Sequence, residues 1–465
     1  MKRIIFPALA ALSCAGAAFA AAPAIPEAGP LEFSVPKGEK FSLPNGLTVY
    51  LLEEHTIPAI RVSGLLRTGT IYDTAGKTGL AELVSSAVRL AGSAKYKADD
   101  ANAQLEAMGA SIETDIRKEY GEIGVFCLSK DAEKTLDILS DMLINPAFEP
   151  EKVKIAKDAM ADDVKRRNDD ANQLVWREAV RNFYGPNHPY GRRTELATLQ
   201  AITGGDLVSF HKRYYKPNAL TLAVAGDFSS SEMKRLLSEK FGKWEKRPLE
   251  LEPVRAPEPA KTRKIFAVNK EVTNAPFMVL QTGPKRLDPD IYSLEVADHI
   301  LGSPGMASRF FSEIRSRRGL AYGVYSFIRP FEKSGLIAGY CGTKNSSVSE
   351  AVEEMLRQIK LMKETPVTPE ELSGAKSAMV NSYIFKFARP IDSLRERMMS
   401  DYLGYPADHV DTYTKKISAV STADVSAVSK RWYDPDSALV YVAGDVKQFL
   451  KPLSKLGEVK ELAAD

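Results

Sequence analysis

The chain has 465 residues, with 63 Lys and Arg against 60 Asp and Glu and a net charge of +3. Lys2 and Arg3 supply two of those charges, so no basic stripe recommends a nucleic-acid partner. With 44% apolar and 26% charged residues, the composition is that of a folded chain long enough for two or more cores.

The first element in chain order is a secretory signal peptide over residues 1–20. Lys2 and Arg3 open it, Ile4 to Leu12 form its apolar stretch, and Ala18-Phe19-Ala20 is a small-residue cleavage site. Cys14 follows Ala11-Leu12-Ser13, a poor context for lipid attachment. The expectation is an exported, periplasmic chain of bacterial type without stable membrane insertion, because no later stretch is long and apolar enough to cross a bilayer. "GLTVYLLEE" and "AIRVSGLLR" then alternate like half-buried antiparallel strands. "TGLAELVSSAVRLAG", residues 78–92, is a helix whose buried face carries Leu80, Leu83, Val84, Ala87 and Ala91. Glu82, Ser85, Ser86 and Arg89 line its opposite face. "ADDANAQLEAMGA" is a helix stopped by Gly109, and "SIETDI" and "YGEIGVFCL" are strands. "DAEKTLDILSDMLINP" is an amphipathic helix with Leu136, Leu139 and Leu143 on one face. Helices fill Pro150 to about Tyr214, and the strand "ALTLAVAGD" follows. Cys127 and Cys341 lie in apolar strand-like runs and read as buried free thiols.

Residues 246–264, "KRPLELEPVRAPEPAKTRK", place four prolines among charges and form an extended linker. It divides the mature chain into domains 21–245 and 265–465. "ITGGDLVSFHKRYYKPNALTLAVAGD" ends the first and "VSTADVSAVSKRWYDPDSALVYVAGD" ends the second. Pro217 matches Pro435 and Gly226 matches Gly444, each at an offset of 218 (435−217 and 444−226), without a gap from Ile202 to Asp227. The expected fold is therefore α+β. Two homologous α/β sandwich domains, a duplicated unit, each have a largely antiparallel sheet with helices packed on it.

The frame "GTIYDTAGKTGLA" ahead of an apolar helix resembles the pitrilysin/insulinase family of zinc peptidases, the inverzincins. In that family an H-x-x-E-H motif follows directly on "GLA": two histidines bind zinc and the glutamate activates water. The resemblance places the first histidine at Glu82, the glutamate at Ser85 and the second histidine at Ser86. The third ligand falls at Asp163, after 76 intervening residues (163−86−1). Two carboxylates and two hydroxyls do not replace two imidazoles, so no zinc is expected in this chain. Weak magnesium or calcium binding by Glu82 and Asp163 is the remaining metal reading. His55, His188, His211, His299 and His409 are scattered, with no paired spacing.

The second half departs less from the family pattern. "HILGSPGMASRFFSEIRSRRGLAYGVYSF" resembles its C-terminal motif, in which an arginine and a tyrosine stand seven apart, here Arg315 and Tyr322. The resemblance implies that the arginine binds a substrate carbonyl and the tyrosine hydroxyl stabilises the tetrahedral intermediate. On residue pattern alone, Arg315 with Arg317 and Arg318 also reads as a solvated helix end, and Tyr322 as a packing residue. Loss of the metal motif beside retention of this pair resembles the metal-free subunit of the family's bacterial two-chain peptidases. The short "LGSPGMASR" stands where the non-catalytic chain of mitochondrial processing peptidase has a long glycine-rich loop. Thr114, Asp115, Ile116 and Arg117 lie where active relatives present a peptide-pairing edge strand; ordinary sheet edge is the simpler reading here.

The expectation is thus a substrate-binding subunit, inactive alone, of an exported zinc peptidase that degrades peptides or unfolded protein. Its partners would be a homologous zinc-bearing subunit and a peptide substrate. An inert peptide-binding or scaffold protein of the same fold is the alternative. Independent hydrolase chemistry finds no G-x-S-x-G and no obvious Cys–His pair.

Overall fold

The computed structural model describes residues 33–258, 262–303 and 305–463, so the signal-peptide segment and Cys14 lie outside the described residues. Among them twelve strands make two six-stranded sheets. The first is ordered β1-β2-β6-β3-β5-β4, from β1 (Glu39–Ser42), β2 (Thr48–Glu53), β3 (Ala59–Leu66), β4 (Ser111–Ile116), β5 (Gly121–Leu128) and β6 (Leu220–Gly226). The second is ordered β12-β7-β11-β8-β10-β9. Its strands are β7 (Lys264–Asn269), β8 (Asn274–Gly283), β9 (Ala321–Arg329), β10 (Gly335–Lys344), β11 (Leu439–Gly444) and β12 (Val459–Leu462).

The two orders are one plan used twice, and the expected pair of homologous α+β domains holds. The repeated segments end in β6 and β11, which occupy matching central places. β2 and β3 are not each other's partners. β6 lies between them, parallel to β2 and antiparallel to β3, and β11 does the same between β7 and β8. Cys127 in β5 and Cys341 in β10 are buried free thiols, in register with Ile60 and Phe277.

The helices of the first half are α1 (Leu80–Leu90), α2 (Ala98–Met108), α3 (Ala132–Ile144), α4 (Pro150–Arg166), α5 (Ala171–Tyr184), α6 (Leu196–Gln200), α7 (Gly204–Tyr214) and α8 (Ser230–Phe241). Those of the second are α9 (Ile291–Leu301), α10 (Val348–Glu364), α11 (Pro369–Tyr383), α12 (Pro390–Leu403), α13 (His409–Ala419), α14 (Thr422–Trp432) and α15 (Val446–Leu453). Helical spacing of apolar residues does what it should in α3, where Leu136, Leu139 and Leu143 are all buried. Each is worth about 1.5–3 kcal/mol on enclosure. Gly109 closes α2 in the left-handed region, at φ +60°, which a side chain resists.

Two helices cross between the halves. α5 lays Leu174, Val175 and Ala179 among Met278, Leu280 and Tyr441 of the second sheet. α12 returns the exchange, setting Ile391, Leu394 and Met398 against Tyr50, Leu65 and Ala223 of the first. The proline-rich linker divides the chain, but these helices bind each half to the other through buried apolar area.

Candidate functional site

Helix α1 begins where the "KTGLA" turn demands it. Gly79 is left-handed at φ +102°, and the Asp73 carboxylate accepts hydrogen bonds from Gly79 N (2.8 Å) and Ala81 N (2.9 Å). Those N–H groups have no partner within the helix, so an anion at this end is favourable. Leu80, Leu83, Val84, Ala87 and Ala91 are buried, as the spacing predicts.

Ser85 is not on the open face where the helical pattern placed it. It is buried near the enclosed Tyr215 hydroxyl, and Thr114 Oγ1 donates to its carbonyl at 2.9 Å. Tyr215 follows α7, some 130 positions along, and α7 packs on α1. Glu82 and half-buried Ser86 remain on the outward side. The Glu82 side chain reaches water yet is hemmed in by protein, the condition of a group in a concave surface. That crowding raises its carboxyl above the ordinary range, while the Lys118 charge and a 3.3 Å hydrogen bond from Thr194 Oγ1 pull it down. Burial likewise lowers the Lys118 ammonium, with Glu82 and Asp73 opposing. Lys118 thus brings a positive charge to the surroundings of Glu82.

Asp163 is 79% exposed and its nearest cation is Arg166 of its own helix, at 3.8 Å. Among the described residues no group of three or more His, Cys, Asp or Glu is placed to hold a metal ion. The donor set does not fit zinc: the Ser86 hydroxyl stands where an imidazole is needed, and the Asp163 carboxylate is largely solvated. It gives no closer support to magnesium or calcium, whose sites gather six or more oxygens.

β4 is an edge strand, pairing with β5 alone. Thr114 ties it to α1, and Asp115 and Glu122 flank Arg117 at 2.9 Å each. Thr114, Asp115, Ile116 and Arg117 are therefore a real sheet edge, with its charges already satisfied.

In the second half, residues Phe311–Arg317 form a π-helix ahead of β9. Its widened turn sets the Arg315 guanidinium over two rings, 4.8 Å from Phe311 and 5.6 Å from Tyr322. Its neighbours in the arginine run are ion-paired: Arg317 with Glu313 at 3.0 Å, and Arg318 with Glu350 at 3.3 Å and Glu354 at 3.1 Å. Arg315 has no carboxylate partner among the described residues, and Tyr322 is 87% exposed. The structure joins this arginine and tyrosine and separates them from the ordinary solvated run.

Two further features were not read from the sequence. At the junction of the halves, buried Glu119 pairs with Arg286 and accepts Tyr190 OH (2.5 Å) and Glu332 N (2.9 Å). On the second sheet, α5 leaves a recess of about 540 Å³ lined by Trp176, Tyr325, Phe327, Arg329 and Tyr340. Only the alternation of Tyr325, Phe327 and Arg329 along β9 hinted at a shared face.

Comparison with known proteins agrees with this architecture. Residues 48–195 match the model for insulinase (peptidase family M16), and residues 201–379 that for the peptidase M16 inactive domain. An uncharacterized zinc protease of Bacillus subtilis, YmxG, is 25% identical over 414 residues, 87% of this chain and 98% of its own. One from Mycobacterium leprae is 28% identical over 332 residues, 68% of this chain and 72% of its own. The solved peptidase M16 inactive domain from Pseudomonas fluorescens superposes with a TM-score of 0.80 at 21% identity, over 88% of this chain and 98% of that one. A Helicobacter pylori protease does so at 0.78 and 17%, over 88% and 99%. With both family models matched in order along one duplicated fold, the chain belongs to the insulinase family of peptidases, family M16.

Proposed function

We propose that this chain is the non-catalytic, substrate-binding subunit of an exported zinc metallopeptidase that degrades peptides or unfolded protein. The single observation that carries the reading is Arg315. It is the unpaired member of an otherwise neutralised arginine run, stacked on an exposed Tyr322, in a chain whose α1 cannot assemble a metal site. The zinc would sit in a homologous partner, and the N-terminal sequence supports export to the periplasm.

In that role the Arg315 guanidinium binds a carbonyl of the peptide and fixes its register. The Tyr322 hydroxyl donates to the carbonyl oxygen as it gains negative charge. One such preplaced donor is worth about 2.7–4 kcal/mol, or 10²–10³ in kcat. The test is purification of the chain with its partners from the native host, followed by peptidase assay of the complex. Tyr322→Phe is expected to lower kcat roughly 100-fold with the complex intact. Full activity of the Tyr322→Phe and Arg315→Gln complexes overturns the shared-site reading. Recovery of the chain without any zinc-bearing homologue favours an inert binding or scaffold role.

A further inference from the structure

The recess over the second sheet is built, and its chemistry is specific. Trp176 of α5 stands 5.7 Å from Phe327, and Tyr325 stacks on Tyr340 at 4.9 Å. The Tyr340 hydroxyl is held by Asn172 Oδ1 at 2.5 Å. Arg329 lies across the end of this shelf, its guanidinium 4.7 Å from the Trp176 ring and 5.6 Å from Phe327. No carboxylate pairs with Arg329 among the described residues; the charged and phenolic groups that influence it are Tyr120, Tyr184 and Arg117. A guanidinium flanked by rings and left without a counter-ion favours an incoming anion.

The rim of the recess is the border strand of the second sheet. β9 pairs with β10 on one side; on its other side Ser326 N donates to Gly302 O at 2.8 Å, and no further strand among the described residues pairs there. An extended chain laid there gains main-chain hydrogen bonds, and its side chains fall on the shelf at every second residue. Tyr325, Phe327 and Arg329 are spaced at that same period of two.

We propose that this recess is a peptide-binding site, selecting an extended segment in which a large apolar residue and a carboxylate are two positions apart. The apolar side chain fills the space between Trp176, Phe327 and Tyr340, and Arg329 receives the carboxylate. That carboxylate belongs either to an acidic side chain or to a chain terminus. The inference deepens the substrate-binding reading above, but it concerns this chain alone and does not require a zinc-bearing partner.

The test uses the whole chain without any partner and three fluorescent decapeptides of one parent sequence, each containing Phe. The first has Glu two positions from Phe and an amidated end. The second has no Glu and a free terminal carboxylate two positions from Phe, and the third is amidated and neutral. Anisotropy titration is expected to show one or both acidic peptides binding roughly tenfold tighter than the neutral one. Arg329→Gln should erase that difference, and the peptide that loses affinity identifies the source of the carboxylate. Phe327→Ser should weaken all three. Arg329→Gln changes an exposed side chain, so the test survives even if Phe327→Ser folds poorly. Equal affinity of the three peptides for the unaltered chain, or no change in Arg329→Gln, overturns the proposal. Failure of the two-chain reading would show instead in the activity of Arg315 and Tyr322 variants, leaving these titrations unmoved.

Discussion

Strands β4 and β9 end the two sheets at the same place in one plan, and their pairing fixes which residues correspond. Glu113 faces Gly124 as Tyr325 faces Tyr340, and Gly124 and Tyr340 are joined through Ser63 and Met278 to Ala223 and Tyr441 of the repeat. Glu113, Asp115 and Arg117 therefore answer to Tyr325, Phe327 and Arg329, each 212 positions on (325−113, 327−115, 329−117). The crossing helices differ in the same sense: the sixth residue of α12 is Arg395, and that of α5 is Trp176. On the first sheet Arg117 and Arg395 both hold Glu122, at 2.9 and 2.7 Å, and Arg61 covers Phe126. On the second, stacked rings surround an unpaired Arg329. Matching backbones have diverged in side-chain chemistry. Charges along an edge blunt strand addition, whereas an apolar edge with a lone cation invites it.

Both edges share one rigid arrangement only if the Glu119 junction couples them, and that junction is the place to break it. Glu119 lies three residues beyond β4 and meets Arg286 and the backbone of Glu332, which follows β9. Arg286→Met would leave a buried carboxylate without its cation, at an expected cost of about 3–5 kcal/mol in urea unfolding. A cost below about 1 kcal/mol would mean that water reaches the charge and that the junction does not couple the edges.

A second difference separates the equivalent helices α1 and α9. α1 packs on α4 and α7 as α9 packs on α11 and α14, which sets Ser85 opposite Tyr215 in one half and Asp298 near Tyr433 in the other. Burial pushes the Asp298 carboxyl from 3.8 to about 7, with Ser326 pulling it down and the Glu295 charge pushing it further up. One of its oxygens and the Tyr433 hydroxyl are enclosed with no partner among the described residues. Below pH 3.8 both folded and unfolded chains hold this proton. Between there and about pH 7 only the folded chain does, so stability falls as pH rises and levels off above. The expected loss is on the order of 4 kcal/mol, and Asp298→Asn should remove that part of the slope. An unaltered chain whose urea midpoint is flat across this window sinks the assignment. Ser85 cannot titrate, so the first half has no matching dependence at this position.

Much of this was legible where the signal is local. The gap-free repeat from Ile202 to Asp227, the period of α3 and the left-handed stop at Gly109 all depend on neighbours in sequence. The insertion of β6 between β2 and β3 was not, because its partner strands lie more than 150 residues away and alternation carries no partner identity. The burial of Ser85 was missed for the same reason, since a helical pattern cannot show that Tyr215 covers it. The poor fit of Ser86 to a zinc-ligand position was readable, because a serine hydroxyl is wrong for zinc in any packing. The recess was not, because Trp176 reaches Phe327 only through a helix exchanged between halves.

The exchanged residues themselves sharpen the contrast. Trp176→Ala removes a half-buried ring from the second shelf and should cost about 1–2 kcal/mol. Arg395→Ala breaks one exposed ion pair on the first and should cost less than about 1 kcal/mol. Equal losses in urea unfolding would mean that the two shelves are equally packed, and that the aromatic one is not open.

The smallest stability effect is expected from giving the second edge the residues of the first. Tyr325→Glu with Phe327→Asp copies Glu113 and Asp115 onto β9. Both changes fall on the partly exposed outer strand, so stability should move by only about 0.5 kcal/mol. Binding should respond far more, because the apolar floor is gone. The carboxylate introduced at position 327 can also neutralise Arg329 across the same face of the strand, as Asp115 neutralises Arg117. The reverse change, Asp115→Phe, should not create a binding edge on β4, since Arg395 stands where Trp176 would be needed. Peptide affinity that survives on the altered β9 would place recognition in the open strand backbone, and the side-chain divergence between the two edges would then be incidental.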